Sequence, residues 1–348
     1  MPALLLLSAI AGAAMAAAIV WLVRPADRLE VILRGVVATV LAASVATTAG
    51  VLTDAEDPMF LLAVSFGAAP VAILLGAAAG EAAPGRRSVA RVLVWTWSGV
   101  VFPICVVVPP LLYRTCGAPE CRVEDFGASL ALLVSSSASV LLAWRANSVA
   151  EGPGWVRFAA PVALLWVSAA AWLVSLEGAV DAYTARILLA AVLSPLAGGL
   201  AWLLVDVLRQ TGRHPVRSFA DGVAAGLVAI VPGAASVSFP WSLVVGASAG
   251  AAAALVFGAK RIASAGRAGH WALVALSATA IGYLAPAISG DTIGFMFSGR
   301  IAAFLPPLAT FLAVAAFGIV TSAPAWSLAR RTARGEGPGI RKNEKTPG

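Results

Sequence analysis

Residues 218–250 read SFADGVAAGLVAIVPGAASVSFPWSLVVGASAG, a pattern that predicts two apolar helices joined by a short turn. Gly222 and Gly226 in the first helix, and Gly246 and Gly250 in the second, each form a G-x-x-x-G pair. This spacing lets two membrane helices bring their backbones close together, because no large side chain separates them. Proline breaks the helical run between the pairs. The stretch therefore indicates helices that pack inside a bilayer.

Composition extends this interpretation to the whole chain of 348 residues. Hydrophobic residues make up 60% and charged residues 12%, and the mean hydropathy is +0.91. These values exclude an ordinary soluble domain. A helix needs about 20 apolar residues to cross a bilayer. We therefore predict an all-α integral membrane protein with many spans, whose surrounding partner is the lipid bilayer.

Eleven apolar runs are long enough to be transmembrane helices. Their expected boundaries are 3–23, 31–52, 59–79, 88–112, 127–146, 158–176, 186–206, 218–233, 242–259, 271–289 and 301–329. No Lys or Arg precedes the first run, which favours a retained helix over a cleaved signal. The last run would be about 43 Å long against a core of about 30 Å, so it should cross tilted. We expect a transmembrane domain over 1–330 and a disordered basic tail over 331–348.

The positions of Lys and Arg predict the orientation. One alternate set of loops, together with the tail, holds 19 of them, and the opposite set holds 4. Arg34 lies near the start of the second span, where it can reach back to the surface. Basic loops face the cytoplasm, so the N-terminus should lie outside and the C-terminus inside the cell membrane. The net charge of +7 therefore reflects topology, and nucleic acid is not an expected partner.

Cysteine and histidine are scarce. Cys116 and Cys121 share an outer loop, where a disulfide and two free thiols are both open alternatives. The two histidines, His214 and His270, lie in or beside cytoplasmic loops, and we expect His270 to be a solvated loop residue. Nucleotide-binding and metalloprotease motifs are absent from the sequence. We expect no metal, no cofactor and no enzymatic activity.

Several motifs resemble the ammonium transporter/Rh family, whose signature reads N-G-x-x-A-G-L-V-A-I-T-P-A-A-G. Asp221-Gly222, followed by AGLVAIVPGAA over 225–235, fills that frame. Similar matches are F-G-A at 66–68 before G-A-A-A-G-E, F-P-I at 102–104, and E-D-F-G at 124–127. The resemblance implies two inverted five-helix repeats around a pore, plus a long last helix. It also implies a homotrimer and a cytoplasmic regulatory protein as a partner.

The family's pore has an outer recruitment site with an aromatic cage and a hydroxyl, then a phenylalanine gate, then two histidines and apolar walls. Phe66 matches one gate position and Trp172 the other, while Ser175 matches the hydroxyl. The pathway residues implied by the resemblance are Phe66, Asp125, Leu133, Trp172, Ser175 and Ala275.

Leu133 and Ala275 stand where the family has its two pore histidines, and Pro109 stands at the cage tryptophan. Leu133 lies eight residues after Asp125, and Ala275 follows by counting from Lys260-Arg261. The chain is thus similar to a divergent member that lacks the histidine pair. A bare ammonium ion in apolar surroundings is costly, whereas ammonia is not. We therefore expect any conducted species to be neutral.

Each singled-out residue also has a structural interpretation. Phe66 is equally a packing aromatic, and Trp172 fits the interfacial aromatic belt. Asp125 and Asp221 both fit helix caps. The serines at 135–137 either line a polar path or bond back to their own helix.

We predict a membrane channel or transporter for ammonia/ammonium or another small neutral solute. The alternative is a non-transporting family member that acts as a membrane sensor or assembly partner. A membrane enzyme ranks last, because the spans lack paired carboxylates, histidine clusters and a nucleophile beside a base.

Overall fold

A computed structural model of the chain describes residues 2–25, 27–54, 56–83, 86–116, 124–141, 156–257, 267–290 and 294–335. Within these ranges the chain is helical, and its one strand-like feature is an isolated bridge between Val237 and Gly290. The α-helices are α1 (Pro2–Val23), α2 (Arg28–Thr53), α3 (Pro58–Ser65), α4 (Ala68–Ala82), α5 (Arg87–Thr96), α6 (Phe102–Cys116), α7 (Ser135–Val140), α8 (Val156–Leu176), α9 (Ala182–Leu208), α10 (Pro215–Ile230), α11 (Phe239–Phe257), α12 (Arg267–Ser289), α13 (Phe295–Ser298) and α14 (Leu305–Gly335).

The predicted arrangement of transmembrane helices is confirmed. Ten helical segments in the described part of the chain are long and apolar enough to span a membrane. The eleventh, the expected fifth span, is described as far as Leu141. Helix α14 continues to Gly335, five residues past the expected end of the membrane domain. Most of the predicted tail and Cys121 lie outside the described residues.

The third span is broken in the middle. Helix α3 ends at Ser65 and α4 begins at Ala68, and the intervening amides of Phe66 and Gly67 bond three residues back, to Ala63 and Val64. Pro70 explains the break, because it has no N–H to donate to the carbonyl of Phe66. Helix α1 crosses close to this point, since a Cβ added at Gly12 would lie 2.5 Å from the carbonyl oxygen of Phe66.

The fourth and fifth spans each contain a π-helical turn. Trp97–Val101 joins α5 to α6, and Leu130–Val134 leads into α7. The indole of Trp97, almost fully buried, donates a 2.9 Å hydrogen bond to the hydroxyl of Ser135. This bond ties the two turns together. Two consecutive prolines of the fourth span, Pro109 and Pro110, lie inside α6.

The G-x-x-x-G pairs permit close backbone contact, as the sequence predicts, and the contacted element is α9. A Cβ added at any of the four glycines would lie under 3.0 Å from backbone atoms of residues 194–199. Ser194 meets Gly226 and Gly246, while Gly198 meets Gly222 and Gly250. Helix α9 therefore lies between α10 and α11 along their glycine faces. The hydroxyl of Ser194 reinforces the contact by donating to the carbonyl of Gly226 over 2.8 Å.

The turn after α10 holds the start of the fifth span. The amide of Phe126 donates to the carbonyl of Pro232 over 2.9 Å. The carboxylate of Asp125 accepts hydrogen bonds from the amides of Ser129 (2.6 Å) and Leu130 (2.9 Å). The helix-cap interpretation of Asp125 is therefore confirmed. The turn belongs to the second half of the chain and Phe126 to the first, so the hydrogen bond between Phe126 and Pro232 joins the two halves.

A cavity between the two halves of the bundle

A cavity of about 130 Å³ lies in the interior of the bundle. Its walls come from six spans. The lining residues are Met15, Ile19, Gly67, Pro70, Val71, Leu74, Leu132, Leu133, Leu165, Ala169, Trp172, Ala224, Leu227, Val228, Val231, Trp271, Val274 and Ala275.

Each half of the chain contributes three spans to the lining. The first five spans contribute through α1, α4 and the π-helical turn before α7, which belong to spans one, three and five. The next five contribute through α8, α10 and α12, which belong to spans six, eight and ten. Corresponding members of the two halves thus face one central space. A concave site between the helices of a bundle is a usual position for a small-molecule site.

Three of the six predicted pathway residues meet at this cavity. Leu133, Trp172 and Ala275 all line it, although they are far apart in sequence. Among the described lining residues, none carries a titratable side chain. A small solute in this cavity would therefore contact hydrocarbon and aromatic surface, which favours a neutral molecule over an ion.

Trp172 is a wall of the cavity and not part of an interfacial belt. Only 3% of its surface is exposed, so the belt interpretation is wrong. Its indole N–H donates to the carbonyl of Ala63 over 3.1 Å, which satisfies the one polar atom of the side chain. The ring lies against Gly67, where an added Cβ would be 3.0 Å from a ring carbon. The broken third span thus gives Trp172 both its hydrogen-bond acceptor and its space.

The other three predicted residues lie elsewhere. Phe66 is half-buried at the break in the third span and is not among the lining residues of the cavity. The hydroxyl of Ser175 donates to the carbonyl of Trp172 in its own helix over 2.6 Å. Asp125 lines a second cavity, of about 420 Å³, together with Glu56, Tyr113 and others. Burial raises the pKa of the Asp125 carboxyl above its usual value, despite the amides that donate to it.

The serines of the fifth span mainly bond to their own helix, as one of the two interpretations predicts. Ser135 donates to the carbonyl of Ala131, and Ser136 to that of Leu132. The hydroxyl of Ser137 is buried without a hydrogen-bond partner in the described structure. Such back-bonding removes two of the three hydroxyls from any path.

A buried ionic cluster lies beyond one end of the cavity. Asp221 is 2% exposed and lies within α10, and His270 is 5% exposed within α12. Nε2 of His270 is 3.3 Å from Oδ1 of Asp221, and Nη2 of Arg213 is 2.6 Å from its Oδ2. The ring of Phe257 packs edge-on against His270, with centroids 4.3 Å apart.

This cluster corrects two expectations from the sequence. His270 is not a solvated loop residue, because α12 begins at Arg267 and carries the histidine into the bundle. Asp221 is not a helix cap, because α10 begins six residues earlier, at Pro215. The cavity-lining residues Ala224 and Val228 follow Asp221 by three and seven positions. Asp221 therefore lies on the same face of α10, about one turn beyond the cavity.

Sequence matching missed several cavity residues, of which Trp271 is the largest. Trp271 lies four positions before Ala275 and three before Val274 in α12. Helical spacing alone would therefore have placed Trp271 on the same face as these two residues. Leu132 and Val231 had no such signal, since each lies where an α-helix gives way to another helical form.

Comparison with known proteins agrees with the fold. A sequence profile described as the Ammonium Transporter Family matches residues 155–330, just over half of the chain. Among curated protein sequences, none matches the chain. Candida albicans Mep2 has a similar structure, with a TM-score of 0.76 at 18% identity over 96% of this chain and 85% of that one.

Two further solved structures are similar at lower identity. Saccharomyces cerevisiae Mep2 gives a TM-score of 0.67 at 16% identity, over 93% of this chain and 87% of that one. A protein described as a sensor Amt protein gives 0.69 at 12% identity, over 96% of this chain and 93% of that one. These likenesses concern the fold.

Proposed function

This chain belongs to the ammonium transporter family, and on that premise we propose that its central cavity is a pathway for ammonia in neutral form. The observation that carries the proposal is the lining by Leu133, Trp172, Ala275 and their neighbours from both halves. Hydrocarbon walls disfavour a small neutral amine far less than its protonated form, because burying an unpaired charge costs much more than burying a neutral polar group. Phe66 is proposed as the gate at the outer end, and Asp125 and Ser175 as residues near the entrance.

We also propose the assembly and orientation that the sequence indicates. The protein is a homotrimer of multi-pass subunits in the cell membrane, with its N-terminus outside and its C-terminus in the cytoplasm. A cytoplasmic regulatory protein is a further partner, and the protein is not an enzyme. The excess of Lys and Arg on one side supports the orientation. A mass measurement in mild detergent tests the trimer, and a stable monomer would contradict it.

The alternative is a family member that senses or assembles without flux. The departure at both pore-histidine positions favours it, and one similar structure is described as a sensor. The two functions differ in one measurable property, the rate at which ammonia crosses a vesicle membrane that contains the protein.

The test is ammonia uptake into proteoliposomes that report internal pH, compared with protein-free vesicles. We expect faster alkalinisation with the wild type. Leu133→Trp places a large ring in the cavity and should lower the protein-dependent rate at least tenfold. Leu164→Trp is the matched control, because Leu164 is 36% exposed and does not line the cavity. A wild-type rate equal to that of empty vesicles would overturn the pathway and favour the sensor.

A further inference from the structure

A charged pocket of about 410 Å³ lies at the end of the bundle where α1 and α4 finish and α2 and α5 begin. Its lining includes four arginines and three carboxylates, among them Arg34, Arg87, Asp27 and Glu30. None of these residues takes part in the central cavity. The pathway proposed above therefore does not account for this pocket.

Positive charge is in excess here. Glu30 is shared among three guanidinium groups, since it pairs with Arg34, with Arg87 at 3.1 Å and with Arg91 at 3.7 Å. Arg87 also holds Asp27 at 2.8 Å. With Arg91 included, five arginines face three carboxylates in the described part of this region. A guanidinium carries five N–H donors, so a pairing with one carboxylate oxygen leaves donors for a second anion.

Arg34 is the most enclosed member of the group. It is 9% exposed and lies nearly two turns inside α2, and its guanidinium reaches back toward Glu30 at the start of the helix. A buried arginine is costly unless it is paired and hydrogen-bonded. Its side chain lines the pocket, so an anion in the pocket would be within its reach.

Two glycines leave the floor of the pocket open. A Cβ added at Gly80 would meet no atom within 4 Å, and one added at Gly76 would meet only Val94, at 3.9 Å. At the glycines of α10 and α11, by contrast, the backbone of α9 occupies the space that a side chain would take. Gly80, and to a lesser degree Gly76, therefore border open volume, whereas the other small residues of α4 are mostly buried.

An exposed apolar surface adjoins the pocket. Leu29, Leu33 and Val36 of α2 are 69%, 56% and 55% exposed. These three residues share one face of α2. Glu30 and Arg34, which line the pocket, directly follow Leu29 and Leu33 in the sequence. A molecule with a charged head in the pocket could lay hydrocarbon chains along this surface.

We propose that this pocket binds the phosphate group of a phospholipid, whose acyl chains lie against α2. Arg34 and Arg87 supply charge-assisted hydrogen bonds to the phosphate oxygens. Basic pockets between membrane helices are suited to anionic headgroups. The open volume beside Gly80 receives the headgroup. A free phosphate ion shares this chemistry, and the experiment below separates the two sources.

The first arm is native mass spectrometry of the full chain purified in mild detergent and titrated with phosphatidylglycerol. We expect one phospholipid per subunit to bind more tightly than the rest. Arg34→Gln should weaken that binding about tenfold, as expected for one lost charge-assisted contact. Gly80→Leu should abolish it by filling the pocket. Arg28→Gln is the matched control, since Arg28 is exposed on the same helix and does not line the pocket.

The second arm measures the thermal stability of delipidated protein with inorganic phosphate. One outcome is that inorganic phosphate stabilises the delipidated wild type but not Gly80→Leu, while the first arm finds no tightly bound phospholipid. That combined result would support the phosphate site and identify a free ion as its ligand. Phospholipid occupancy that is equal in the wild type and all three variants would overturn the proposal. Because a Cβ added at Gly80 would meet no atom within 4 Å, Gly80→Leu should fold even if Arg34→Gln does not, and occupancy can still be compared.

Discussion

Nε2 of His270 lies 3.3 Å from Oδ1 of Asp221, across 49 residues of sequence. The contact joins α12 to α10 just beyond the apolar cavity, and Arg213 completes it from the loop before α10. The interior of the bundle thus changes from the hydrocarbon walls of the cavity to a buried ionic cluster over about one helical turn.

Removing one member of the Asp221 cluster should strongly destabilise the protein. Asp221→Ala leaves Arg213 buried without that carboxylate, so we expect the free energy of unfolding to fall by about 3–5 kcal/mol. His270→Gln removes a weaker contact and should cost about 1–3 kcal/mol. Thermal unfolding in detergent provides the measurement. The double change Asp221→Leu with Arg213→Met is the control and should be milder than Asp221→Ala; a double variant as unstable as Asp221→Ala would count against the buried-charge explanation.

Two glycine-to-alanine changes should have opposite effects. Gly226→Ala forces a methyl group into the backbone of Ser194, which should destabilise the protein by about 1–3 kcal/mol. Gly80→Ala meets nothing and raises helix propensity, so we expect a gain of about 0.5–1 kcal/mol. Denaturation midpoints of the two variants and the wild type are to be compared. Equal effects at both positions would mean that the contact between α9 and α10 is looser than described.

Phe66→Ala tests the gate. If the ring closes the outer end of the path, truncation should raise ammonia or methylamine flux while thermal stability changes little. If the ring only packs, truncation should cost about 3–5 kcal/mol and leave flux unchanged. Phe317→Ala is the control, because Phe317 is also half-buried but belongs to α14 and is not among the lining residues of either cavity. We expect the flux increase for Phe66→Ala alone.

Transport should carry no current. A charge at the centre of a bilayer costs at least about 2.5–3.5 kcal/mol, and the described cavity lining has no titratable group to stabilise it. Planar-bilayer recordings of the wild type should therefore show no ammonium-dependent current at pH values where uptake is measurable. A saturable current that Leu133→Trp abolishes would show that the ion itself passes through the cavity.

The number and approximate position of the membrane spans were predictable from the sequence because the length of each apolar run reports them directly. Leu133 and Ala275 are matched to the family pattern by counting from short motifs and Trp172 by its aromatic side chain, and all three line one cavity. The burial of His270 and Asp221 could not be predicted, because it depends on where α12 begins and on a contact between distant residues. Their positions in the sequence suggest a loop residue and a cap, and only packing shows that the two side chains are buried in contact with each other.

Gly67 and Phe66 show a second limit. The sequence predicts one continuous third span, and only the missing N–H of Pro70 hints at an interruption. At that interruption Trp172 packs against Gly67 and donates to the carbonyl of Ala63, which also accepts the amide of Phe66. Apolar content is the same on both sides of the break, so hydropathy carries no trace of it.

The π-helical turn at Trp97–Val101 has a consequence for the numbering of helix faces. A π turn accommodates one residue more than an α turn, and one residue corresponds to about 100° of rotation. A helical wheel drawn through the fourth span is therefore out of phase after Val101, and the fifth span has the same offset after Val134. Deleting one residue from either turn could restore regular geometry while rotating every later side chain of that span onto a different neighbour, and Trp97 and Ser135 would no longer meet.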